Sequence, residues 1–152
     1  MKKQILQLFI TTCFIIFIST SCNKDDNNTT PAKTKTQLIT QGSWSFDKAF
    51  SGGTDISGSV PACYKDNVVT FTSSTNGTVQ NTVVCTPTDV TPATFTWSWQ
   101  SGETVLSLSA PLFPGGTGNF NLISLTETAL VVEQTVTFPP NPPTSVTFHY
   151  KH

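Results

Sequence analysis

The chain has 152 residues, of which 11% are charged and none is arginine. An average protein carries about 25% charge, so solubility here rests on Thr, Ser and Asn. From Gln37 onward three lysines stand against seven carboxylates, a formal charge of −4. A domain of that sign without arginine has no electrostatic footprint for nucleic acid and no bidentate fork for phosphate.

Lys2 and Lys3 precede an apolar stretch from Ile5 to Ile18, and the small residues Ser19, Thr20 and Ser21 lead into Cys22. That order is the pattern of a secretory signal peptide, so residues 1–21 are expected to be removed. The alternative is a membrane anchor helix. Fourteen residues rise only about 21 Å as a helix, short of a hydrocarbon core of about 30 Å. Ser19-Thr20-Ser21-Cys22 resembles a lipobox, with Ser19 where Leu is usual. An ordinary small-x-small cleavage site gives the same cut before Cys22. Lipidation of Cys22 is the expectation, because it is the odd cysteine of the exported chain, and several acyl chains anchor stably.

Residues 23–35 carry no large apolar side chain and are expected to stay disordered. With Cys22 they form a lipidated tether, residues 22–35. A flexible run of this length spans about 20 Å. Lys24-Asp25-Asp26 resembles the surface-export signal of Bacteroidetes-type lipoproteins. The expected location is therefore the outer membrane, lipid-anchored, on the cell surface or on the periplasmic face; a plain solvated linker reads the same way.

The domain proper is expected over 36–152. Thr36–Gln41 has room for one helical turn. After Thr40 no sustained 3.6-residue period occurs. Instead, short runs rich in Val, Thr and aromatics alternate with turn residues. They predict strands near 44–50, 67–72, 78–85, 93–100, 104–109, 119–125, 129–138 and 145–150. Phe95-Thr96-Trp97-Ser98-Trp99-Gln100 shows the clearest alternation, the mark of an antiparallel strand with one wet face. Thr75-Asn76-Gly77 and Ser101-Gly102 read as hairpin turns. Pro139-Pro140-Asn141-Pro142-Pro143 reads as a stiff loop, since Pro cannot sit within a paired ladder.

Cys63 and Cys85 lie 22 positions apart across a predicted hairpin. An exported protein permits a disulfide there. No His lies near either cysteine, which leaves a metal site short of ligands. No metal and no cofactor are expected.

Gly42-Ser43-Trp44, just ahead of the first strand, resembles the Gly-x-Trp signature of lipocalins. The chain is more fully similar to the lipocalin-like domains of Bacteroidetes lipoproteins. The shared order is a Leu-rich turn before Gly-x-Trp (Leu38 to Trp44), Cys63 with Asp66 and a Thr70-Phe71 strand, a Gly hairpin, a second Cys, a Thr-Trp strand and Leu125-Thr126-Glu127-Thr128-Ala129-Leu130. The resemblance covers nearly all of 36–152. It implies an all-β, antiparallel up-and-down barrel of about eight strands whose Trp closes one end. In lipocalins an Arg of the last strand usually stacks on that Trp. With no Arg here, Lys151 or His149 is the expected substitute.

Chemistry is sparse. His149 and His152 are three apart on an extended chain, face opposite sides and read as surface residues. No Gly-x-Ser-x-Gly elbow occurs, and Gly115-Gly116-Thr117-Gly118 lacks the Lys of a phosphate loop. No catalytic residue is assigned, although a hydrolase using distant carboxylates stays open as a third reading. Phe46, Phe71, Phe95, Trp97, Trp99, Phe120 and Phe148 either fill the barrel or line a ligand cavity, since eight strands allow both. Leu112 and Phe113 sit in a Pro- and Gly-rich loop where they cap the mouth or meet a partner. The leading expectation is a cell-envelope binding module for a small apolar ligand or a partner, with Trp97, Trp99, Leu112 and Phe113 as the binding residues. The alternative is a pocketless interaction lipoprotein that acts through its loops, the 139–143 tip above all.

Overall fold

The computed structural model describes residues 31–72, 75–85, 91–138 and 140–152. Residues 1–21, expected to be a signal peptide, lie outside them, as do Cys22 and Asp89. Thr34 opens the fold. Its hydroxyl accepts from the Gln37 backbone N–H at 3.2 Å while the Gln37 side chain returns to the Thr34 N–H at 2.8 Å. This reciprocal box starts a one-turn helix, α1 (Lys35–Ile39). Lys33 already pairs with Glu127 at 2.9 Å. The folded unit therefore reaches back past the boundary drawn at 36, and Lys33 to Lys35 belong to it rather than to the tether.

The strands follow as β1 (Ser43–Ser51), β2 (Thr54–Asp55), β3 (Val68–Phe71), β4 (Asn76–Gln80), β5 (Thr94–Gln100), β6 (Val105–Leu108), β7 (Asn119–Leu125), β8 (Ala129–Val136) and β9 (Thr144–Lys151). Each of β3 to β9 pairs antiparallel with its neighbour in sequence, β1 pairs with β3, and β1–β9 pairing closes the ring. Eight strands thus form a closed, lipocalin-like barrel, with the two-residue β2 attached only to the end of β1. The β1–β9 ladder runs from Ser45↔Lys151 to Phe50↔Thr147, with a bulge between Phe46 and Lys48.

The strand directions sort every connection to one of two ends. At the helix end lie α1, the turn Ser101–Thr104, the turn after β7 and His152. At the loop end lie the long connections after β1, β4, β6 and β8. The connection after β1 carries a 3-10 turn (Ser57–Ser59) and a short helix, α2 (Ala62–Lys65). Cys63 of α2 is bonded to Cys85, with Cα atoms 5.3 Å apart.

Three expectations need correction. The strand expected at 78–85 is Asn76–Gln80. Asn76 and Gly77 are ladder residues rather than the turn, because Phe95 lies flat over Gly77 and a Cβ there would collide with its ring. A bare glycine covered by a cross-strand aromatic keeps that strand in register. The third concerns Trp44. Its indole N–H donates to the Ile39 carbonyl at 2.8 Å, and neither Lys151 nor His149 stacks on it. His152 does, with ring centroids 3.9 Å apart. Lys151 instead pairs with Asp47 at 2.7 Å, and His149 packs beside Phe50.

Candidate functional site

The expected cavity is the barrel interior, so its packing decides first. Phe71, Phe95, Trp97, Phe120 and Phe148 are buried, as are Tyr64, Phe113, Phe138 and Tyr150. An interior pocket of about 20 Å³ is walled by Trp44, Phe71, Leu112, Phe120 and Tyr150 among others. That is the size of one water. Ligand pockets occupy roughly 300–1,000 Å³.

The four residues expected to bind a ligand make the following contacts. Trp97 sits edge-on to Phe71 at 5.2 Å. Trp99 is half-buried and its indole N–H reaches the Thr36 hydroxyl at 3.2 Å, tying β5 to α1. Phe113 stacks on Phe148 with centroids 4.3 Å apart and planes 3° from parallel. It also meets Tyr64 and Phe138. Leu112 and Phe113 are capping residues: the apolar loop turns inward and closes the loop end.

Beside this cap the barrel wall opens. Past Phe50↔Thr147 the chain leaves β9, turning at Gly52 and Gly53 with φ of 55° and 82° to form β2. Only glycine takes successive left-handed positions without a Cβ penalty. Thr144, Ser145 and Val146 continue to pair with β8 but have no strand on the β1 side. The gap is a half-open cleft of about 310 Å³. One wall is Ser51, Ile56 and Ser59; the other is the β8–β9 hairpin, from Val136 and Phe138 through Asn141 and Pro142 to Thr144 and Val146.

The first wall is fixed by local chemistry. Asp55 accepts from the Ser57 N–H at 2.9 Å, and the Ser57 hydroxyl accepts from the Ala49 N–H at 3.0 Å. The Ser57 hydroxyl and then its backbone N–H hold the Asp55 carboxyl below its ordinary range. The Lys65 ammonium donates to the Ser57 carbonyl at 3.3 Å. The second wall is stiffened by its prolines and by the Thr144 hydroxyl, which donates to the Pro142 carbonyl at 3.0 Å.

None of the described residues lining the cleft is ionisable. Its floor is apolar, from Ile56, Val136, Phe138 and Val146. The side chains of Ser51, Ser59 and Asn141 have no hydrogen-bond partner among the described residues. A few unengaged polar groups over an apolar floor is the composition of a recognition site. Of these residues the sequence singled out only the 139–143 tip. Ser51, Ile56 and Ser59 come from a Gly- and Ser-rich stretch with no period to mark it, and only barrel closure brings them beside that tip.

Five of the described carboxylates have partners elsewhere. Asp47 pairs with Lys151, Asp55 with Ser57, Asp66 with the Thr82 and Val83 N–H groups, Glu127 with Lys33 and Glu133 with Ser145. Among the described residues, no group of three or more His, Cys, Asp or Glu side chains converges on one point. The chain matches no protein-family model and no curated protein.

Proposed function

We propose that this chain is the precursor of a lipid-anchored envelope protein whose barrel is a non-catalytic interaction module, working through the cleft at its loop end. The observation that carries this reading is the contrast between an interior with room for one water and a 310 Å³ cleft beside the Pro-rich tip. The partner, in this reading, is another envelope component rather than an apolar molecule held inside the barrel.

The anchoring half rests on the sequence around Cys22 and the tether after it. The chain enters the barrel at the helix end, so attachment through Cys22 leaves the cleft at the other end of the strands. Bacteroidetes-type lipoprotein membership, outer-membrane placement and surface display belong to the same proposal. The engagement of five carboxylates in structural contacts supports a binding role over a hydrolase.

Two experiments test it. Cys22→Ala should release the protein from the membrane fraction into the soluble one; retention would contradict the anchor. A photo-crosslinking residue at Asn141 should capture one defined envelope component, while the same residue at Thr128, at the helix end, should not. Equal labelling from both positions would end the assignment to the cleft.

A further inference from the structure

The cleft is a place where a sheet stops early. Thr144, Ser145 and Val146 hydrogen-bond to β8 on one side, while β1 has turned away on the other. Backbone N–H and C=O groups on such an edge are a template for another strand. Natural barrels abolish edges by closing; along the β1–β9 seam of this one, among the described residues, these three at the loop end stay unpaired.

We infer that the cleft takes a short, uncharged, extended peptide segment of a partner protein, which pairs with the open edge of β9 and lays apolar side chains on the floor. This rests on the interaction reading above and names its occupant. Three residues of edge span about 10 Å, so the segment is short. The chemistry follows from the lining. Main-chain bonds to a strand edge give affinity, and pockets for alternate side chains give selectivity. Ile56, Val136, Phe138 and Val146 supply the apolar floor beneath alternate positions. Ser51, Ser59 and Asn141 can satisfy the outer carbonyls and amides of the segment. A charged side chain on that floor would be desolvated with no counter-charge, which is costly. A second constraint comes from Gly52 and Gly53. Their left-handed turn carries β1 away from β9, so the gap is built into the backbone rather than left by a loose side chain.

The test uses the mature folded protein and a blocked pentapeptide of alternating Val and Thr, acetylated and amidated. Titration followed by amide NMR should shift signals within 51–59 and 141–147 and leave the helix end unchanged. Two further peptides carry N-methyl groups at alternate residues, one in each register. The register that blocks the paired amides should bind at least about tenfold more weakly. Ser59→Trp, on an exposed turn, fills the cleft without touching the core and should weaken the parent peptide by about tenfold or more. Replacing the valines by glutamate should do the same. Full-strength binding by both N-methylated peptides, undiminished binding to Ser59→Trp, or no binding of the parent peptide would overturn the inference. So would maltose, a neutral disaccharide, producing the same shifts while the peptide produces none. Capture from Asn141 with a silent peptide would refute only the occupant; absence of position-specific capture would refute the interaction reading itself.

Discussion

The two ends of this barrel are closed by opposite means. The helix end is held by short turns and polar cross-links around two indoles, Trp44 and Trp99. Ile39 and Trp44 are fully buried, the Trp44 indole is bonded to Ile39, and His152 lies over it. Lys33 bridges Glu127 and the Gln41 side chain, and Lys35 donates to the Glu103 carbonyl at 2.6 Å. The loop end is sealed by aromatics from three different connections, Tyr64, Phe113 and Phe138, converging near Phe148, with one disulfide at the margin. Exposed polar pairs contribute little each, whereas stacked buried rings contribute several kcal/mol through area alone. An end sealed by bulk side chains holds even where its backbone leaves a gap. An end sealed by local hydrogen bonds must keep its turns tight.

The comparison can be broken from its strong side first. Phe113→Ala should remove the centre of the aromatic cap and destabilise the protein by about 3–5 kcal/mol, read by urea denaturation. A value near 1 kcal/mol would mean the loop end is not held by this cluster. Opening the Cys63–Cys85 bridge with the paired Cys→Ser substitutions should cost about 3 kcal/mol, as expected for a closed loop of this length. Thr34→Ala should cost only about 1 kcal/mol while leaving the loop-end NMR signals in place. That selectivity is the test of independence between the ends.

Titration sharpens the contrast further. Burial pushes the Tyr150 phenol well above its ordinary value of 10.0. The folded state resists the phenolate that the unfolded chain forms freely, so stability is full below pH 10.0 and falls as pH rises past it. Tyr150→Phe should flatten this alkaline decline in a thermal melt series. The smallest effect belongs to Asp47, whose carboxyl is held below 3.8 chiefly by its hydrogen bond from Lys151. A depressed carboxylate adds stability above its unfolded value that is lost as pH falls through the folded one. Asp47→Asn should remove only a shallow acid dependence, because the pair lies at the surface.

Most of the barrel was legible because strands print a period of two on the sequence. In β5 the residues from Thr94 to Ser98 alternate exposed and buried as their polarity does. The helical turn before Gly42 and the pairing of Cys63 with Cys85 were legible too. What failed was local chemistry overridden by tertiary contact. Asn76-Gly77 has every mark of a turn, yet Phe95 holds it in a strand. The connection from Gly52 to Asn67 shows no period, and its short elements exist only because Ser57 and Cys63 find partners elsewhere. Leu112 and Phe113 were conspicuous, but composition does not say whether a loop points outward or folds back. The cleft itself was invisible, since its walls are about 80 positions apart in the chain and meet through strand closure.

The closing ladder has a kinetic consequence. β1 and β9 join the beginning and end of the domain, as Lys151 and Asp47 show from 104 positions apart. With the two-residue β2 set aside, every other neighbour in the sheet is also a neighbour in sequence. The meander can zip progressively through local hairpins, but the seam must wait for the last strand to form. Such long-range closure is slow, and until it happens β1 and β9 are open edges that invite pairing between molecules. The final seam is therefore the folding step most exposed to misassembly. Substitutions along β1 and β9 should therefore raise aggregation during refolding more than equally destabilising ones in β5 or β6.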